Sequence, residues 1–240
     1  MDILERIERS KRIGKIDFSK IACVDKKEAL VSVQSGKRLR AEPIWQFHID
    51  NLEGPLYQKY IKDHPKYDAV YVRRTLAMML DEASTLLPSH LQLVVRAGHR
   101  PLEVQTKLLQ ALIREHKLAN PTVTDREALE FARTYVSDPA IKLPPHCCGA
   151  AVDVDVFDTS ANELVDFGCP INTESEISFL HSEIITKTQR VNRMILLEAM
   201  LTVGFASCSS EWWHYSYGDQ EWANFYQIPQ SLYGIIQPDL

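Results

Sequence analysis

Polar and apolar positions repeat along the chain with two different periods, and the changes of period mark the elements. From Arg73 onward Leu76, Met79, Leu80, Ala83, Leu86 and Leu87 recur at steps of three and four. That spacing predicts a helix with one buried face, and Pro88 ends it. Leu91-Gln92-Leu93-Val94-Val95 reads as a strand running into Arg96-Ala97-Gly98-His99-Arg100-Pro101. Pro101 suits the first turn of a following helix, which Leu108, Leu109, Leu112 and Ile113 continue. Asp125 is expected to cap a further helix with Leu129, Ala132 and Val136 on its inner face. From Ala150 to Val156 the period drops to two, so the valines share one face of a strand and Asp153 and Asp155 share the other. A long helix is expected over 182–203, with Gly204 as its terminator. Ser210-Glu211-Trp212-Trp213-His214-Tyr215 reads as an aromatic-rich strand or turn.

Residues 1–70 behave differently. Short apolar stretches (Ile21 to Val24, Ala29 to Val31) alternate with Gly36, Pro43, Gly54 and Pro55, which predicts short strands and turns. Helices and strands mix with no regular βαβ rhythm, no glycine-rich dinucleotide motif and no internal repeat. The fold class that follows is α+β. With 240 residues the chain is read as one domain over 1–240, in which 1–70 form an N-terminal part of the same domain.

Composition narrows the function classes. Hydrophobic residues make up 45% and charged residues 25%, an ordinary globular balance that excludes disorder, collagen-like structure and a disulfide scaffold. Lys and Arg number 27 against 32 Asp and Glu, a formal net charge of −5. That balance argues against nucleic acid or an anionic membrane as partner. The N-terminus carries charges every two or three positions and lacks the apolar core of a secretion signal. Five cysteines without a Cys-x-x-Cys spacing fit free thiols in a reducing compartment. A cytoplasmic protein is expected, and no feature of the sequence sets its oligomeric state.

Two clusters could carry chemistry. In His146-Cys147-Cys148-Gly149-Ala150-Ala151-Val152-Asp153 a histidine before a turn precedes a strand carboxylate, and Gly149 can supply the backbone conformation that folds one towards the other. Glu211-x-x-His214 offers a second imidazole and a second carboxylate. Histidine nitrogen and carboxylate oxygen are both zinc donors, and three protein ligands with one open position define a catalytic site. By spacing alone such histidines are more often surface or capping residues than ligands, and Glu and His both sit readily on solvated faces. On a regular strand, moreover, Glu211 and His214 would point to opposite faces, so both could serve one metal only through a bulge or from a strand end. Asp155 is expected as a solvated or hydrogen-bonded strand carboxylate. Cys147 and Cys148 are better read as small buried residues than as a thiolate nucleophile, because no basic partner is evident. Trp212, Trp213, Trp222 and Tyr226 read as core or pocket wall.

In combination the segments resemble a known family. Arg-Ala-Gly-His99-Arg100-Pro101, Pro145-His146-Cys-Cys-Gly149-Ala-Ala-Val-Asp153, Phe167-Gly168, Asn192-Arg193 before Gly204-Phe205, and Ser210-Glu211-Trp-Trp-His214-Tyr-Ser-Tyr-Gly218-Asp219 occur in that order. The set is similar to the zinc D-alanyl-D-alanine dipeptidases of peptidase family M15, which include the vancomycin-resistance dipeptidases, over about Val70 to Ala223. The resemblance implies a small antiparallel sheet with flanking helices, of the kind shared by the hedgehog and DD-peptidase folds. It implies that His146, Asp153 and His214 hold one Zn²⁺ per chain, that Glu211 is the general base and that Arg100 stabilises the transition state. Two positions depart from the family pattern. Pro144 stands where many relatives have a serine two residues before the first ligand. Asn172 stands where relatives commonly have an acidic residue thought to pair with the substrate's ammonium group. The leading expectation is a dipeptidase acting on free D-Ala-D-Ala or a similar dipeptide. The alternatives are a D,D- or L,D-carboxypeptidase trimming peptidoglycan stem peptides, and a non-catalytic module that retains the metal.

Overall fold

The computed structural model describes residues 1–12, 16–43 and 69–236; the turn expected around Gly54 and Pro55 lies outside them. Helix α1 (Ile3–Ser10) opens the chain, with the Asp2 side chain accepting from the Glu5 amide at 2.9 Å. Three short strands follow, β1 (Ala22–Cys23), β2 (Leu30–Ser32) and β3 (Leu39–Ala41), then β4 (Tyr71–Arg73) and helix α2 (Arg74–Leu86). Strand β5 (Leu91–Ala97) leads into α3 (Leu102–Ala119) and α4 (Asp125–Tyr135). Beyond them lie β6 (Ala151–Asp158), β7 (Glu163–Leu164), α5 (Lys187–Val203), β8 (Ala206–Ser207), β9 (His214–Ser216), α6 (Gln220–Tyr226) and β10 (Gln230–Ser231).

The main sheet has the order β3-β5-β6-β9-β8, with β7 added against β6. It is antiparallel except at one edge, where β3 runs parallel to β5. Two small ladders stand apart from it, β1 parallel to β10 and β2 antiparallel to β4.

The period of two in β6 decides how the molecule is layered. Val152, Val154 and Val156 belong to the main apolar core together with Leu76 and Leu80 of α2 and Leu196, Leu197 and Met200 of α5. Each such side chain contributes about 1.5–3 kcal/mol by leaving water. The opposite face carries Asp153 and Asp155. There α3 and α4 pack on each other through Leu109, Leu112 and Ala132, and α3 forms a wall of the cavity described below.

Three details depart from the sequence expectations. Helix α4 is capped by Thr124, whose hydroxyl and Glu127 bond reciprocally to each other's backbone amides, so Asp125 is the first helical residue. The helix expected from residue 182 starts at Lys187, because Thr186 and Gln189 form the same reciprocal cap there. Gly204 does end it, at φ 105°. Asp155 is the second of its two expected kinds, a hydrogen-bonded carboxylate: it is buried and accepts from the Val156 amide at 2.9 Å. Helix α1, whose Ile3 and Ile7 pack on the core, was hidden by its density of charge.

Candidate metal centre and active-site pocket

Strands β6 and β9 set the centre. Their register places Asp153 directly opposite His214, and His214 Nδ1 lies 3.0 Å from Asp153 Oδ1. His146 arrives from a short 3-10 turn (His146–Cys148) that Gly149 closes at φ 63°, in the left-handed region. Its Nδ1 lies 2.8 Å from the carbonyl of Gly98. A carbonyl only accepts, so Nδ1 carries the proton and Nε2 keeps its lone pair. That Nε2 is 3.4 Å from Asp153 Oδ2. Glycine is required beneath the ring: a Cβ at residue 98 would meet the Tyr71 carbonyl at 2.3 Å.

All three side chains are buried, and one donor atom from each lies within 4.8 Å of the others. Tetrahedral ligands at 2.0–2.2 Å from a zinc ion stand roughly 3.3 Å apart, so the two measured separations suit a metal. His146, Asp153 and His214 form a candidate metal site. Burial opposes ionisation of Asp153, yet the two imidazoles beside it hold its carboxyl well below the usual carboxylate range. Burial lowers His146 and the nearby Arg100 adds to this, against the pull of Asp153. For His214 burial acts downward too, but Asp153, Glu211 and Glu221 outweigh it and raise the imidazole to about 9.

Glu211 lies in the turn before β9, where the His214 amide donates to the Glu211 carbonyl at 3.3 Å. From this position at the strand's end, and not within it, its Oε2 comes 3.8 Å from His214 Nδ1. The conflict between an odd spacing and a shared site is thereby resolved. Burial raises the Glu211 carboxyl to about 7, helped by Asp153 and Glu221 and opposed by His214.

Arg100 is tied to the same turn, its backbone amide donating to the His146 carbonyl at 3.0 Å. Its guanidinium is buried and donates to Gln105 Oε1 at 2.9 Å, and Gln105 in turn donates to the Ser137 carbonyl at 2.8 Å. Gln105 is a site residue that sequence reasoning missed. The signal was present, since Gln105 precedes Leu108 and Leu109 by three and four residues and so is a polar group on a buried helix face.

These residues line one cavity of about 280 Å³, with Pro144, Asn172 and Trp213 also on its wall. Asn172 sits at φ 65°, a left-handed conformation that asparagine tolerates better than most residues. Its side-chain nitrogen is buried without a hydrogen-bond partner among the described residues. Cys147 and Cys148 are buried in the turn, and burial drives both thiols upward, Cys147 to about 12. Trp212 lies in the core, stacked on Phe167 with ring centroids 4.1 Å apart.

The sequence profile of one peptidase family, described as D-ala-D-ala dipeptidase, matches residues 60–231. The chain belongs to the M15 peptidases. Three curated relatives, each named D-alanyl-D-alanine dipeptidase, show the spread of similarity. The chain is 26% identical over 214 residues to one from Synechocystis sp. (strain ATCC 27184 / PCC 6803 / Kazusa), covering 72% of this chain and 82% of the relative. It is 28% identical over 127 residues to one from Escherichia coli (strain K12), covering 53% of this chain and about half (55%) of the relative. It is 32% identical over 81 residues to one from Enterococcus faecium, covering 34% and 40%. Among solved structures, VanYB in complex with D-alanine-D-alanine aligns over 87% of this chain and 93% of its own, at 16% identity and a TM-score of 0.42. The M15 family is a family of peptidases, and among the described residues no helix is long and apolar enough to cross a membrane.

Proposed function

We propose that the protein is a zinc-dependent dipeptidase that hydrolyses free D-Ala-D-Ala, or a closely similar dipeptide, to two amino acids. The observation that carries this reading is the convergence of His146, Asp153, His214, Glu211 and Arg100 on one small cavity. His146 through Nε2, Asp153 through a carboxylate oxygen and His214 through Nδ1 would hold the zinc, as one ion per chain. Zinc bound there supplies Lewis acidity, polarising a peptide carbonyl and acidifying water.

The protein's own groups account for the remaining chemistry. Glu211 lies on the cavity wall with its Oε2 3.8 Å from His214 Nδ1, so it takes the proton of the attacking water and returns it to the departing amine. Arg100 is the donor for the substrate carbonyl oxygen as negative charge develops on it. Gln105 holds that guanidinium in place, so little reorganisation is needed as the reaction proceeds. Pro144 and Asn172 contact the substrate: the proline side chain has no hydrogen bond to offer it, and the asparagine amide oxygen accepts from its ammonium group without supplying charge.

The test is a panel of D,D-, L,D- and L,L-dipeptides, free and N-acetylated, assayed on zinc-loaded protein for release of amino acids. The expected result is fastest cleavage of a free D,D-dipeptide. Faster cleavage of N-acylated peptides would instead support a carboxypeptidase acting on peptidoglycan stem peptides. Absence of turnover across the panel would overturn the proposal in favour of a metal-retaining binding module.

A further inference from the structure

A second cavity, of about 660 Å³, lies beside the first and is lined by the N-terminal segment around Phe18 and Ile21 and by α6. The two cavities have three lining residues in common: Lys142, Cys208 and Glu221. Lys142 Nζ is ion-paired to the Glu221 carboxylate, and the two side chains are only 20% and 21% exposed. The ammonium also sits over the Phe18 ring, 5.2 Å from its centroid. The neighbouring Gln220 stitches the partition together. Its Oε1 accepts from the Leu143 amide at 3.0 Å, and its Nε2 donates to the carbonyls of Phe18 at 3.3 Å and Ile21 at 3.0 Å. Three separate parts of the chain therefore meet at this wall: the loop before His146, the first turn of α6, and the N-terminal segment.

Burying an ion pair gains little stability over apolar side chains of the same volume, so stability alone does not account for this one. We propose that the Lys142–Glu221 pair, backed by Cys208, is the wall that closes the catalytic cavity on this side and limits its substrate to a dipeptide. This rests on the dipeptidase reading and names what sets the length of its substrate. Without the pair the two cavities become one, with room for a further residue.

The test compares D-Ala-D-Ala with tri-D-alanine on three zinc-loaded proteins: wild type, the double variant K142A/E221A, and K142M/E221Q, which keeps the bulk of the wall and removes its charge. The readout is the ratio of kcat/KM for tripeptide to dipeptide within each protein, so a uniform loss of activity cancels. The alanine pair is expected to raise this ratio at least about tenfold, the scale on which pocket volume discriminates substrates, while the Met/Gln pair leaves it within about twofold of wild type. An unchanged ratio in the alanine pair, or an equal rise in both variants, would overturn the proposal. If the alanine pair folds poorly, Lys142→Ser carries the same comparison. The ratio of the two peptides' Kd values, measured by calorimetry, is expected to follow the same pattern and tests the wall even without turnover. Failure of wild type to cleave either peptide is the separate result that would count against the dipeptidase reading.

Discussion

Asn172 and Asp155 show how much rests on single polar side chains. Asn172 stands on the cavity wall with its side-chain nitrogen buried and unpartnered among the described residues, where a carboxylate would pair with a substrate ammonium. Asn172→Asp is therefore expected to lower KM for dipeptides with a free amine, by steady-state kinetics on zinc-loaded protein. An unchanged or higher KM would remove this account of the position. Asp155, on the same face of β6 as Asp153, lies outside the lining of that cavity. Burial raises its carboxyl to about 6, against the Val156 amide and Arg96. Between about pH 4 and that value the folded protein holds a proton that the unfolded chain has released, so wild-type stability falls as pH rises through the window. Asp155→Asn does not titrate. It is expected to match wild type near pH 4 and to exceed it by up to about 3 kcal/mol above pH 6, in denaturant unfolding followed across pH. Equal stability at both ends of the range would contradict the assignment.

At the scale of elements, what the sequence made legible was periodic. The period of two in β6 separated the valine face from the aspartate face, and that one alternation locates both the core and the candidate ligand Asp153. The three-and-four spacing located α2 and α3. Helix starts were less legible, because a cap is a geometric exchange between two side chains: Thr124 with Glu127 and Thr186 with Gln189 outcompeted the residues that composition favoured. The long connection between β7 and α5 carried no periodic signal at all. It is held by Arg193, 1% exposed, which donates to the carbonyls of Phe167 at 2.9 Å, Phe179 at 2.5 Å and Ile177 at 2.8 Å. The same connection carries Asn172. Arg193→Met leaves those carbonyls unpaired and is expected to cost about 3–5 kcal/mol, a fall of roughly 10 °C in Tm for a chain of this size. A fall under about 2 °C would show that the connection holds itself in place.

Across the whole molecule, the site is assembled from parts far apart in sequence. His146 needs the Gly98 carbonyl to set its tautomer, Arg100 needs Gln105, and the cavity wall needs the N-terminal segment against α6. The ends of the chain meet in the parallel pairing of β1 with β10. The family resemblance pointed to the candidate ligands and Glu211, where spacing alone was weak, and both were silent on these supporting contacts. Nothing local in the sequence marks Lys142 or Glu221, since their partnership exists only once the chain is folded. The central claim is that the centre works as a zinc site with Glu211 as its base. Its most direct test is release of D-alanine from free D-Ala-D-Ala by wild type and Glu211→Ala, with the zinc content of both proteins measured. The account predicts equal zinc, one ion per chain, and a loss of kcat/KM of at least about a hundredfold in the variant; a variant as active as wild type would contradict it.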